Sequence, residues 1–341
     1  TLTDMYLDHI ELAGAEPFYR LGSKIEHWPK HYGILPPADP HKWAVVCEHI
    51  IMHMNEGWAD GRHRGIKYWE IWNEPDFNEK CWLGTPEEFY ELFAVTAKHL
   101  KSRFPELKIG GPAVCGFNEK WLRPFFEKMR SENVPMDFYS WHRYGSCVAD
   151  FTDDARRHRA LLDEFGYTEA ESILDEWNYV RGWSGEEWKN SLQTELSMKG
   201  AAMISAVMAA CQREAVDMLM YYDARINSTM NGLFSFGTLE PLKGCHALSA
   251  WGELLAAGDE CKTECDVPDI YAAAAVKDGK AVTVVTYYTD DEAALPRSFT
   301  VELPGDELRT VSLLDESRDM TPYLSIAPDG GRFTLTMQPN T

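Results

Sequence analysis

The stretch Lys67-Tyr-Trp-Glu-Ile-Trp-Asn-Glu-Pro75 decides how the rest of the chain is read. Its aromatic and branched residues suit a strand over 66–72. The proline stops that strand, because it has no N–H to give to a sheet ladder. Left at the strand end are a carboxylate, Glu74, and an amide, Asn73. Toward the amino terminus, Leu2, Met5, Tyr6, His9 and Leu12 recur at helical spacing and stop at Gly14. A short strand over 16–22 leads into a loop rich in His, Trp and Pro. Asp39-Pro40 then opens a helix whose apolar stripe is Trp43, Val46, Cys47, Ile50, Ile51 and Met54. Toward the carboxyl terminus, Thr85-Pro-Glu-Glu88 is a capping box starting a helix that runs to about Phe104. Strands over 108–114, 136–142, 172–177 and 216–222 then alternate with helices over 119–130, 153–165 and 188–213. Such alternation predicts a parallel sheet and, at this length, an α/β fold of the (β/α)8 TIM-barrel type over residues 1–258. From about residue 266 the pattern becomes short strands over 270–276, 281–288, 298–303, 308–314 and 332–337. The turns Lys277-Asp-Gly279, Pro304-Gly-Asp306 and Asp329-Gly-Gly331 join them. That predicts a C-terminal antiparallel β-sandwich domain over 266–341.

Composition narrows the partners. With 33 Lys plus Arg against 54 Asp plus Glu, the net charge is −21, a sign that argues against nucleic acid and anionic membrane. No apolar run reaches the eighteen or so residues of a membrane span, and no amino-terminal signal peptide is visible. The eight cysteines are scattered, several in apolar settings such as Cys47 and Cys211, which fits buried free thiols in a reducing, cytoplasmic setting. Cys261 and Cys265 lack a second pair for a tetrahedral metal site. His49 and His53 lie four apart without a completing ligand, so they are read as solvated. No metal and no cofactor is expected. Self-association into a homo-oligomer stays open.

Two carboxylates stand at carboxyl ends of expected barrel strands, the edge where barrel active sites lie. One is Glu74. The other, Glu176, falls in Ser172-Ile-Leu-Asp-Glu-Trp-Asn178. Each alone reads equally well as a strand stop or a surface carboxylate. Together, far apart in sequence and on different strands, they form the pair that glycosidic cleavage requires: one carboxyl protonates the departing oxygen and the other meets the cationic sugar carbon.

Asn73-Glu74-Pro75, followed 102 residues later by a second strand-terminal Glu, resembles the clan A glycoside hydrolases. The segments Trp69-Glu-Ile-Trp-Asn-Glu-Pro75, Ile109-Gly-Gly-Pro112, Ser140-Trp-His-Arg-Tyr144 and Asp175-Glu-Trp-Asn178 look like family 39 of that clan, which contains β-xylosidases and α-L-iduronidases. The resemblance spans about residues 16–250. It implies a retaining hydrolase acting on a carbohydrate by double displacement, with Glu74 as acid/base and Glu176 as nucleophile. Asn73 would hydrogen-bond the sugar 2-hydroxyl, and His142 and Tyr144 match the family's His-x-Tyr segment. Retention sets the two carboxyl groups about 5–5.5 Å apart, a closeness expected to raise the pKa of Glu74. The family usually shows a smaller residue where Arg143 stands and Ser where Asp175 stands.

Trp177, Tyr221 and Tyr222 read as sugar platforms or as core aromatics, and Glu26 and His27 join the substrate-binding candidates from the loop after the first strand. Holding a uronate carboxylate would need Arg or Lys in the cleft. Arg143 alternates with His142 and Tyr144 and so points elsewhere, while Lys24 and Arg181 sit in loops. The expected substrate is therefore a β-linked neutral sugar, a β-D-xyloside above others. The alternatives are an endo-β-glycanase, an α-L-iduronidase or β-glucuronidase-like enzyme, or a sugar-binding barrel without catalysis. By the clan's strand order Glu74 ends strand four, so the strand over 16–22 is strand three. Strands one and two are then expected from an absent N-terminal segment.

Overall fold

The computed structural model describes residues 1–77, 79–277 and 280–341. Six strands, β1 (Phe18–Leu21), β2 (Tyr68–Ile71), β3 (Lys108–Val114), β4 (Phe138–Gly145), β5 (Glu171–Tyr179) and β6 (Met218–Tyr221), form one sheet in chain order. Pairing is parallel, with Phe18 opposite Tyr68 and Tyr68 opposite Lys108. The intervening helices are α2 (Pro40–Asn55), α3 (Pro86–Arg103), α4 (Glu119–Ser131), α5 (Val148–Glu164), α6 (Gly185–Glu195) and α7 (Met198–Cys211), with α1 (Leu2–Leu12) before β1 and α8 (Lys243–Ala256) after β6. This is the α/β alternation expected from the sequence. Beyond α8 lie antiparallel sheets: β7 (Asp259–Cys261), β8 (Ile270–Lys277) and β9 (Lys280–Tyr287) in one, β10 (Arg297–Glu302) with β13 (Arg332–Met337), and β11 (Arg309–Asp315) with β12 (Arg318–Ile326). The turn expected at Lys277-Asp-Gly279 falls, in its last two residues, outside the described residues.

The chain divides into two compact units. One comprises Thr1–His142, Arg156–Asp175 and Val216–Met218; the other comprises Arg143–Ala155, Glu176–Ala215 and Leu219–Thr341. The first has an aromatic core in which Phe93 of α3 meets Phe125 of α4 edge-on at 5.1 Å, and Trp121 stacks on Phe125 at 5.5 Å. Offset and edge-on contacts of this kind add to area burial because ring edges are positive and faces negative. The second unit centres on Ala209, Trp251, Leu254, Ala273 and Ala275.

Several expectations need correction. The helix expected over 188–213 is two helices, because the chain breaks between Glu195 and Met198. Gly200 permits the close return: a Cβ there would come within 2.5 Å of the Thr194 carbonyl oxygen. Helix α5 starts five residues earlier than expected, at Val148. On α2 the buried positions are Ala44, Cys47, Ile51 and Met54, whereas Val46 is exposed. His49 and His53 are not simply solvated. The His53 ring lies 3.1 Å from Asp4 and 2.9 Å from the Trp58 carbonyl, and His49 lies 2.8 Å from the Val45 carbonyl. Helix α8 and strands β7 and β12 lie outside every predicted span. No helix among the described residues is long and apolar enough to cross a membrane.

The capping box at Thr85 is present in full: the Thr85 hydroxyl accepts from the Glu88 N–H at 3.2 Å, and the Glu88 carboxylate accepts from the Thr85 N–H at 2.8 Å. Thr85→Ala removes one of the two bonds and is expected to cost about 1 kcal/mol. Urea denaturation should show a lower midpoint with an unchanged slope.

Candidate active site

Each unit holds one of the two carboxylates. In the first, the chain leaves β2 through Trp72 (φ 75°) and Glu74 (φ 45°), both in the left-handed region that non-glycine residues adopt at a cost of order 1–3 kcal/mol. The turn is fixed by the Glu74 N–H donating to the Ala113 carbonyl at 2.8 Å and the Trp72 indole N–H donating to the Cys81 carbonyl at 2.8 Å. Asn73 is buried, and its side-chain oxygen has no hydrogen-bond partner among the described residues. The Cys81 thiol lies 3.5 Å from Glu74 Oε2, and His142 Nδ1 on β4 lies 2.8 Å from Glu74 Oε1.

Behind Glu74 runs a buried charge network. The sheet register places Arg20 of β1 opposite Glu70 of β2, and Arg20 Nε donates to Glu70. Arg20 Nη2 donates to Asp175 Oδ2 at 2.9 Å. His142 Nε2 stands 3.5 Å from Arg20 Nη2 and 3.5 Å from Asp175 Oδ1. Burial pushes the Glu70 carboxyl up, and Arg20 offsets this only partly. Burial also acts to raise Asp175, but His142 and Arg20 outweigh it and hold Asp175 low. Glu74 follows the same balance: burial raises it, yet His142, Cys81 and Arg20 bring it below the usual range. That is the opposite of the rise expected from the sequence, and His142 is the reason. Two residues on, Asp76 accepts from the Cys115 N–H at 2.9 Å, and burial lifts it to about 6.

In the second unit the Tyr144 hydroxyl donates to Glu176 Oε2 at 3.0 Å. Tyr222 and Trp183 both meet the Tyr144 ring edge-on, at 6.3 and 5.1 Å. Trp183 stacks on Trp188 at 5.3 Å while staying 60% exposed. Trp177 is 1% exposed and packs edge-on against Phe151 and Tyr221. Asn178 is spent on backbone, its amide donating to the carbonyls of Tyr222 at 2.7 Å and Met230 at 3.1 Å. Arg143 is ion-paired with Asp150 and Asp154, and Arg181 with Asp290.

Glu74 and His142 are thus brought together, as are Glu176 and Tyr144. The Glu26 carboxylate is occupied in its own loop by the N–H groups of Tyr32 and Gly33, at 2.8 and 3.1 Å, and His27 is exposed. Sequence reasoning missed Arg20, Glu70, Cys81 and Trp183. A signal for the first two was present: opposite charges at the third residue of two adjacent apolar strands.

A family model described as "Glycosyl hydrolases family 39" matches residues 1–204. A β-xylosidase of Geobacillus stearothermophilus is 33% identical over 156 residues, which is 43% of this chain and 30% of that protein's length. A solved glucosidase from Croceicoccus marinus superposes with a TM-score of 0.75 at 22% identity, covering 98% of this chain and 78% of its own. A monomeric β-xylosidase from Caulobacter crescentus gives 0.74 at 17% identity, covering 99% and 82%. At those identities the two structures show a shared fold.

Proposed function

The chain belongs to glycosyl hydrolase family 39, and from that premise we propose that it removes a β-linked neutral sugar, best a β-D-xyloside, with retention of configuration. The observation that carries the reading is that each of the two carboxylates has its own polar partner on β4. His142 and Tyr144, two residues apart on β4, hold Glu74 and Glu176 respectively.

In the proposed reaction Glu176 attacks the anomeric carbon while Glu74 gives its proton to the leaving oxygen. Water then opens the glycosyl–enzyme ester, with Glu74 acting as base. The Asn73 oxygen supports a bond to the 2-hydroxyl, since it is an acceptor with no partner among the described residues. Exposed Trp183, rather than buried Trp177, suits an aromatic platform. The neutral-sugar reading is supported by Arg143 and Arg181, whose charges are already matched by aspartates. As the finer form of the fold we propose a closed (β/α)8 barrel with a carboxyl-terminal β-sandwich beginning near residue 266.

The test compares 4-nitrophenyl β-D-xyloside with a fluorogenic α-L-iduronide, and follows the first-formed xylose anomer by proton NMR. The expected result is turnover of the xyloside with β-xylose appearing first. Preference for the iduronide would end the neutral-sugar reading, and α-xylose appearing first would end retention.

A further inference from the structure

We propose that Asp175 is a positioning residue for proton donation: through His142 it selects the imidazole state that lets Glu74 carry a proton. The inference rests on the reading of Glu74 as acid/base. Its basis is the geometry around one ring. His142 Nδ1 is 2.8 Å from Glu74, while Nε2 is 3.5 Å from an acceptor, Asp175 Oδ1, and equally far from a donor, Arg20 Nη2. The ring is fully buried, so water does not decide between the two neighbours.

The proton accounting follows from the two ring nitrogens. Glu74 acts as an acid only when it carries a proton. If that proton comes from His142 Nδ1, the ring left behind is neutral with its hydrogen on Nε2. That tautomer needs an acceptor at Nε2, and Asp175 supplies it. Were Arg20 the only neighbour, Nε2 would keep its lone pair and Nδ1 its hydrogen. Glu74 would then face a permanent donor and remain a carboxylate. In the forward step the Glu74 proton passes to the departing oxygen as the C–O bond breaks, the water that opens the glycosyl–enzyme ester gives Glu74 its next proton, and the His142 hydrogen stays on Nε2 throughout.

The charged and titrating groups around this ring come from every neighbouring element. They are Arg20 on β1, Glu70 on β2, Glu74, Asp76 and Cys81 after β2, and Asp175 on β5. Tyr144 follows two residues beyond His142, and Glu176 follows Asp175 directly. Arg20 opposes Asp175 at Nε2, and Glu70 occupies part of the Arg20 charge, so Asp175 tips the balance.

The experiment measures kcat/KM against pH for full-length enzyme with phenyl and 2,4-dinitrophenyl β-D-xylosides. Asp175→Ser, neutral and too short to reach the ring, should lower the alkaline limb by about one pH unit. With the phenyl substrate the rate at neutral pH should fall roughly tenfold, while the dinitrophenyl substrate, whose leaving group needs no proton, stays within about twofold. Asp175→Asn, which keeps an acceptor, should recover part of the phenyl rate. Equal losses on both substrates with an unmoved limb would overturn the inference. Should the variants not fold, nitrogen-15 NMR of histidine-labelled wild type decides: Nε2 of His142 should carry a hydrogen throughout the active pH range, and a bare Nε2 refutes the proposal. Glu74→Ala run in parallel separates the two claims. If it impairs both substrates alike, the acid/base reading itself fails. If it spares only the dinitrophenyl substrate while Asp175→Ser changes nothing, the role of Asp175 alone falls.

Discussion

Replacing Glu176 by alanine should lower kcat on a 4-nitrophenyl β-xyloside by roughly 10⁵-fold, the scale on which removal of a covalent nucleophile acts. On the proposed mechanism the remaining carboxyl, Glu74, would still protonate the leaving group, but nothing would meet the anomeric carbon from the opposite face. The vacated volume lies beside the Tyr144 hydroxyl, which bonds Glu176 in the intact protein. Azide is small and anionic, so it can occupy that space and attack in place of the carboxylate. Rescue should therefore yield an α-glycosyl azide from a β-glycoside, identifiable by its anomeric coupling constant. An active Glu176→Ala enzyme, or rescue that gives only the β-azide, would remove Glu176 from the nucleophile position. The far-ultraviolet spectrum and melting temperature of the variant should match the parent, because Glu176 is a partly exposed residue of β5.

The second large effect is on stability. Arg20→Met should destabilise the fold by about 3 kcal/mol or more, since breaking a buried ion pair leaves uncompensated charge in a site that excludes water. Both carboxylates that Arg20 serves are buried, although the Arg20 side chain itself is 29% exposed, which places the expectation at the lower end of the usual range. The pH dependence has a definite sign. Burial raises Glu70 above its ordinary value near 4.5, so the stability tied to its protonated form is present below that value and is lost as pH rises through the folded value. Asp175 is held below its ordinary value near 3.8; its contribution is present above that value and is lost as pH falls through the folded one. Without Arg20 the rise of Glu70 grows and the depression of Asp175 weakens. The deficit should thus be smaller at pH 5 than at pH 8. Urea midpoints at the two values measure it, and a deficit that shrinks with rising pH contradicts the account. Arg20→Lys should recover little, because an ammonium lacks the planar fork that reaches two carboxylates at once.

Much of the first part of the chain could be read directly. The strand leading to Asn73-Glu74-Pro75, the cap at Asp39, the capping box at Thr85 and the alternation through β5 all rest on local signals, and these survive folding. What escaped depends on contacts distant in sequence. The break between Glu195 and Met198 leaves the apolar periodicity of 188–213 intact; only the approach of Gly200 to the preceding carbonyls exposes it. Strand β12 mixes charge, hydroxyl and proline, and it declares itself only by pairing with β11. Of the candidate site residues, Glu74, Glu176, His142 and Tyr144 were within reach because motif and strand position coincide. Arg20 and Glu70 look like ordinary strand charges until the register sets them opposite each other. The lowered Glu74 was likewise hidden, since a carboxylate pair viewed alone suggests a rise, and the imidazole that reverses it comes from another strand.

The placement of both His142 and Tyr144 on β4 makes the strand a ruler. A strand advances about 3.3 Å per residue, so the backbone positions of His142 and Tyr144 are set about 6.6 Å apart by the pleat and not by any loop. Drift in the surrounding loops can reshape a cleft gradually, but it cannot stretch this interval. A one-residue insertion between the two would turn one of them to the opposite face, and a two-residue insertion would lengthen the interval by a full repeat. Variation of that interval therefore comes in discrete steps, fixed by the strand repeat.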